Sequence, residues 1–175
     1  MIKILIADDH TVVRKGLRQI LLEGFPGAHI GEVGDAEEMI KKVIQDEWDV
    51  VISDLSMPGR SGLEALQQIK HINARLPVLI LSIHPEEQYA LRVLKAGAAG
   101  ASGYLSKDMA PDELVNAVHR VMLGKKYITA SIAEKLAAVF DQDSGKSPHE
   151  YLSDREFSVL KLLATGKSVS EIAES

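Results

Sequence analysis

Five residues supply acid, hydroxyl and ammonium groups, and each ends or directly follows a short apolar run. Asp8 and Asp9 follow KILIA, Asp54 closes VVISD, Ser82 closes PVLILS, and Lys107 follows SGYLS. Crowded carboxylates repel one another unless a cation joins them. A hard ion such as Mg²⁺ binds through one or two carboxylates, with water and phosphate oxygens completing its shell. With such an ion and the Lys107 ammonium to neutralise charge, Asp54 can act as a nucleophile towards phosphorus and form an aspartyl phosphate. The Ser82 hydroxyl can donate to a phosphate oxygen. Singly, each residue has a plainer reading. Asp54 would initiate the Pro-Gly turn behind it, Asp8 and Asp9 would cap a helix starting near Thr11, and Lys107 would be a solvated surface charge. Their shared position at the ends of successive apolar runs favours the joint reading.

Those runs are read as strands: Lys3–Ala7, His29–Val33, Asp49–Ser53, Pro77–Ser82 and Ser102–Ser106. Three are nearly continuous in Val, Ile and Leu, the pattern of parallel strands covered on both faces. Between them, apolar residues recur at helical spacing. Val13, Leu17, Ile20 and Leu21 form one stripe; Met39, Ile40, Val43 and Ile44 form the next. Leu63, Leu66 and Ile69 follow, then Ala90, Val93 and Leu94, then Leu114, Ala117, Val118 and Val121. Strict β–α alternation predicts an α/β fold, a five-stranded parallel sheet doubly wound in flavodoxin-like order. In such a sheet function gathers beyond the carboxyl ends of the strands, where the five residues fall.

This α/β domain is expected over residues 1–124. A linker over 125–150 contains an amphipathic helix near 129–140, with Ile132, Leu136 and Phe140 on one stripe, followed by the polar stretch DQDSGKSPHE. Residues 151–175 read as two short helices with a tight turn at Gly166. Ser153 with Glu156, and Ser168 with Glu171, both have capping-box spacing.

Composition narrows the classes. The chain has 175 residues and no Cys, which excludes disulfides and thiolate metal sites. Its six His are scattered without metal-ligand spacing, and His10 beside the acidic pair is read as solvated. No signal peptide or bilayer-length apolar stretch is visible, so a cytoplasmic protein away from membranes is expected. A net charge of −5 argues against strong nucleic-acid binding by this chain. ADDHTVVRKG lacks the glycines of a nucleotide-binding loop.

Asp8-Asp9, DLSMPGRSG around Asp54, LILS ending at Ser82 and GYLSKD around Lys107 together resemble the receiver domain of a bacterial two-component response regulator. LSDREFSVLKLLATGKSVSEIAES, Leu152 to Ser175, resembles the opening of the NarL/FixJ, or LuxR-type, helix-turn-helix domain. The resemblance implies that Asp54 is phosphorylated by a sensor histidine kinase, with Mg²⁺ as cofactor. It places Mg²⁺ on Asp9, Asp54 and the Ser56 backbone carbonyl, with Asp8 helping directly or through water. Ser82 and Lys107 would contact the phosphoryl group, and Tyr104 would be the aromatic that turns inward as Ser82 moves. The chain would not be an enzyme beyond self-phosphorylation and slow autodephosphorylation. Phosphorylation would favour a homodimer and release the DNA-binding domain for transcription control.

Two departures from the family pattern stand out. Ala96-Gly97-Ala98 is repeated as Ala99-Gly100-Ala101, about three residues more than the pattern. Gly97, Gly100 and Gly103 accept unusual backbone angles, so the extra length is expected to form a bulge that leaves Tyr104 and Lys107 in place. A slip by an odd number within the strand would reverse their faces. Second, the recognition helix would lie beyond Ser175, and residues 146–175 hold four Lys or Arg against five Asp or Glu. This chain is therefore not expected to bind operator DNA specifically. The rival readings are an Asp-nucleophile, Mg²⁺-dependent phosphohydrolase and a stand-alone receiver acting by protein binding. The first expects DxD after the first strand, where this chain has adjacent aspartates; LSDRE and SEIAE speak against the second.

Overall fold

The computed structural model describes residues 1–83, 101–130, 133–134 and 137–138. The chain divides into two compact units, Met1–Leu136 and Ala137–Ser175. The expected Ala90–Leu94 stripe, most of the AGAAGA repeat, the Ile132, Leu136 and Phe140 stripe and both capping boxes lie outside the described residues. Within the span expected as a helix near 129–140, the Ala133 N–H donates to the Thr129 carbonyl.

The strands are β1 (Lys3–Ala7), β2 (His29–Val33), β3 (Val50–Asp54), β4 (Val78–Ser82) and β5 (Gly103–Ser106). All are parallel, in the order β2-β1-β3-β4-β5, the predicted flavodoxin-like arrangement. Position explains composition. Every residue of β3 and β4 is buried, as their continuous Val, Ile and Leu require, whereas edge strand β2 exposes His29 and Glu32. Asp54 is the last residue of β3, paired in register with Leu81.

The helices α1 (Thr11–Gly24), α2 (Ala36–Gln45), α3 (Gly62–Ile72) and α4 (Pro111–Met122) cover both faces. Leu17 and Leu21 of α1 pack with Leu114, Ala117, Val118 and Val121 of α4 against one face. Met39, Ile40 and Val43 of α2, with Leu63, Leu66 and Ile69 of α3, cover the other. Burying a side chain of this size contributes about 1.5–3 kcal/mol, so the two layers hold the sheet as a rigid platform. Ile44 departs from its expected stripe: it sits at the edge of the α2 apolar face and is 63% exposed.

Helix starts follow local chemistry. Asp35 accepts from the Glu38 N–H at 2.8 Å to cap α2, and Ser61 accepts from the Glu64 N–H at 3.2 Å to cap α3. Helix α4 opens with Pro111 at its first position, followed by Asp112 and Glu113.

Strand β5 runs without a slip from Leu79↔Gly103 to Ser82↔Ser106. Gly103 differs from expectation in what it does. It has no left-handed backbone angle; instead its missing side chain admits neighbours. A Cβ there would lie 2.7 Å from Leu79 Cδ2 and 2.9 Å from the Tyr127 carbonyl oxygen. Tyr127 passes along the outer side of β5, its N–H donating to the Ser102 carbonyl at 2.9 Å.

Candidate functional site

Parallel strands β1 and β3 lie side by side, so Asp8, just past the end of β1, meets Asp54 at the end of β3. Both carboxylates are buried, at 1% and 4% exposure. The β5 end delivers Lys107, whose Nζ lies 2.7 Å from Asp8 Oδ2 and 2.9 Å from Asp54 Oδ2. Burial opposes the charge on Lys107. Hydrogen bonds to Asp8 and Asp54, with the charges of both, outweigh it and raise the ammonium pKa above its ordinary value. The register of β5 is thus compatible with the acidic edge, and Lys107 is a bridging cation rather than a solvated charge.

Asp9 reaches the same edge from the solvent side. Ligand atoms of Asp8, Asp9, His10 and Asp54 all lie within 4.8 Å of one another. This is a hard, oxygen-rich donor set of the kind Mg²⁺ takes through one or two carboxylates, and the residues present fit that ion. The Ser56 N–H donates to Asp54 Oδ1 at 3.1 Å, which ties the carboxylate to the loop whose carbonyl is the expected further ligand. Asp8 does not cap α1; His10 is the N-cap residue, and its N–H donates to Asp8 Oδ1 at 2.8 Å.

Ser82 is buried at the end of β4, and the Lys107 N–H donates to its carbonyl at 3.0 Å. Tyr104 is wholly buried in the α2–α3 side of the core, with Ile80 as its register partner.

Three contributors were not legible as such. His10, read as solvated, is 66% exposed but stands 2.9 Å from Asp9 Oδ1 and 3.3 Å from Asp8 Oδ1. Arg14 donates to the Asp8 carbonyl at 2.6 Å and to Thr11 Oγ1 at 3.2 Å, holding the turn that carries both aspartates. Arg60, in the loop after Asp54, donates to Glu37 of α2 at 3.1 Å and to Gln68 of α3. Arg14 lies six positions after Asp8, with the start of α1 between them, and no pattern in the sequence marked the contact. Gly62 closes the same loop, because a Cβ there would overlap the Leu55 carbonyl.

Sheet order and acidic edge together define a receiver-type α/β domain. Residues 4–119 match the response regulator receiver domain family. "Response regulator UvrY" of Escherichia coli (strain K12) is 39% identical over 176 residues, covering 99% of this chain and 79% of that protein. A two-component response regulator of the LuxR family from Aurantimonas sp. SI85-9A1 superimposes with a TM-score of 0.69 at 35% identity, over 79% of this chain and 96% of that one. RcsB from Salmonella enterica serovar Typhimurium, solved bound to promoter rprA in the presence of phosphomimetic BeF3-, gives a TM-score of 0.70 at 29% identity. That match covers 99% of this chain and 82% of RcsB. The chain belongs to the two-component response regulators, in their LuxR/NarL-type family.

Proposed function

We propose that this chain accepts a phosphoryl group on Asp54 from a sensor histidine kinase and thereby switches between two states, the receiver's part in transcription control. The observation that carries the reading is the Lys107 ammonium bridging buried Asp8 and Asp54 at the carboxyl edge of the sheet. An Asp54 carboxylate oxygen attacks phosphorus in line. A P–O bond forms as the P–N bond of a phosphohistidine breaks, and the freed imidazole nitrogen takes a proton. Lys107 stands where it can turn from Asp54 to the arriving phosphoryl oxygens, offsetting their charge. Mg²⁺, when bound, would neutralise charge on the phosphoryl oxygens; Asp9, Asp54 and the Ser56 carbonyl would hold it, with Asp8 behind them.

Ser82 would then donate its hydroxyl to the phosphoryl group, and Tyr104, in the next strand, would report that movement to the face covering β4 and β5. Phosphate shifts a balance between two states only as far as it contacts them differently. The favoured state is a homodimer, the form in which a regulator carrying the recognition helix would act on DNA. RcsB bound to promoter rprA supports this reading, as does the similarity to UvrY beyond residue 119.

The test is intact mass after incubation with Mg²⁺ and acetyl phosphate. One phosphate-sized gain is expected, absent in Asp54→Asn and without Mg²⁺. A gain that survives Asp54→Asn would refute the assignment.

A further inference from the structure

At the opposite pole, beyond the amino ends of β3, β4 and β5, a cavity of about 450 Å³ opens between the α3–β4 connection and the end of α4. Four cationic side chains line it: Lys70, Arg75, Lys125 and Lys126. Among the described residues the one lining carboxylate is Asp49, and its Oδ2 already accepts from the Lys3 backbone N–H at 2.8 Å. A net charge of −5 makes this local excess of cations opposite in sign to the chain as a whole.

Of the four, Lys70 is sunk into the protein, while Lys126 lies exposed beside it. Lys70 is 7% exposed, and its ammonium donates to the Leu76 carbonyl at 2.6 Å. Lys126 donates to the Ala101 carbonyl at 2.9 Å. An ammonium has three donors; among the described residues Lys70 uses one of them on protein, and burial keeps the others from bulk water. Among the described residues, neither forms an ion pair with a carboxylate. Burial lowers both pKa values, and for Lys70 the nearby Lys126 charge adds to the effect. Buried charge is costly unless paired, so the buried Lys70 ammonium, with the Lys126 charge beside it in the same cavity, is an arrangement that an anion would relieve. A staple for the α3–β4 connection would account for Lys70 alone. It leaves unexplained a second ammonium, from exposed Lys126, tied to a carbonyl ahead of β5.

We infer that this cavity is an anion-binding site for a small phosphorylated molecule, its phosphate held by Lys70 and Lys126 with Arg75 and Lys125 at the rim. Charge-assisted hydrogen bonds of this kind are the strong ones. The volume lies within the roughly 300–1,000 Å³ of small-ligand pockets, which leaves room for more than a free phosphate.

The test is a ¹H–¹⁵N NMR titration of the whole chain with pyrophosphate, and separately with inorganic phosphate, in Mg²⁺-free buffer. Pyrophosphate should produce saturable shifts at the Lys70, Leu76, Ser102 and Lys126 amides, with weaker binding of phosphate. Asp54→Asn should bind equally well. Losing one charge-assisted contact should weaken binding about tenfold or more in Lys126→Gln or Lys70→Gln. Lys126 lies outside the helices, so that variant keeps the test valid should Lys70→Gln fold poorly. Absence of saturable shifts at these amides, or affinity held within that margin in every folded variant, would overturn the inference.

Discussion

Lys107 does two jobs with one charge. It permits Asp8 and Asp54 to be buried together, and in the proposed function it also meets the arriving phosphoryl group. Lys107→Met leaves two carboxylates facing each other without their bridging cation, a change that costs about 3 kcal/mol in buried pairs. Added Mg²⁺ should restore part of the loss, since it would bind the folded chain and not the unfolded one. The folded chain also holds the Lys107 proton more tightly than the unfolded chain does. The stabilising share of Lys107 is therefore fully present below its ordinary 10.5 and fades as pH climbs through the higher folded-state value. Urea unfolding of wild type and Lys107→Met should show a steady gap at neutral pH that closes only above about 10.5. A gap closing near neutrality would mean that Lys107 is not held by these two carboxylates.

Strand β5 is the element on which the site depends most, and it is fixed from two sides. Its inner side pairs with β4, and its outer side takes Tyr127, which only a glycine at position 103 allows. Gly103→Ala should lower stability by about 1–3 kcal/mol, as overpacking does, read from the urea midpoint. Unchanged stability would show that Tyr127 does not press on the strand. Strands β1, β3 and β4 were legible because continuous Val, Ile and Leu have one natural place, the middle of a parallel sheet. Asp54 was legible because that run ends on a carboxylate. The reason for Gly103 was not, since close packing against Leu79 and Tyr127 depends on segments that sequence alone does not bring together. His10 escaped for the opposite reason: an exposed ring beside two acids looks solvated until their carboxylate oxygens are located. Arg60 reaches Glu37 across 23 positions, a separation at which no local pattern speaks.

At the scale of the whole molecule, the acidic edge and the basic cavity occupy opposite ends of one sheet. Phosphorylation at the first should be felt in assembly. Light scattering after treatment with Mg²⁺ and acetyl phosphate should show a larger dimer fraction than the untreated chain, and Asp54→Asn should show no rise. A dimer fraction that ignores phosphate would separate assembly from the site. Because β5 is held by the strand and the turn beside it, its position does not depend on counting residues in the crossover that leads to it. Length in that crossover and aim at the acid pocket are thus separately heritable. A lineage can gain or lose residues ahead of Gly103 and still inherit a lysine that lands between the same two aspartates.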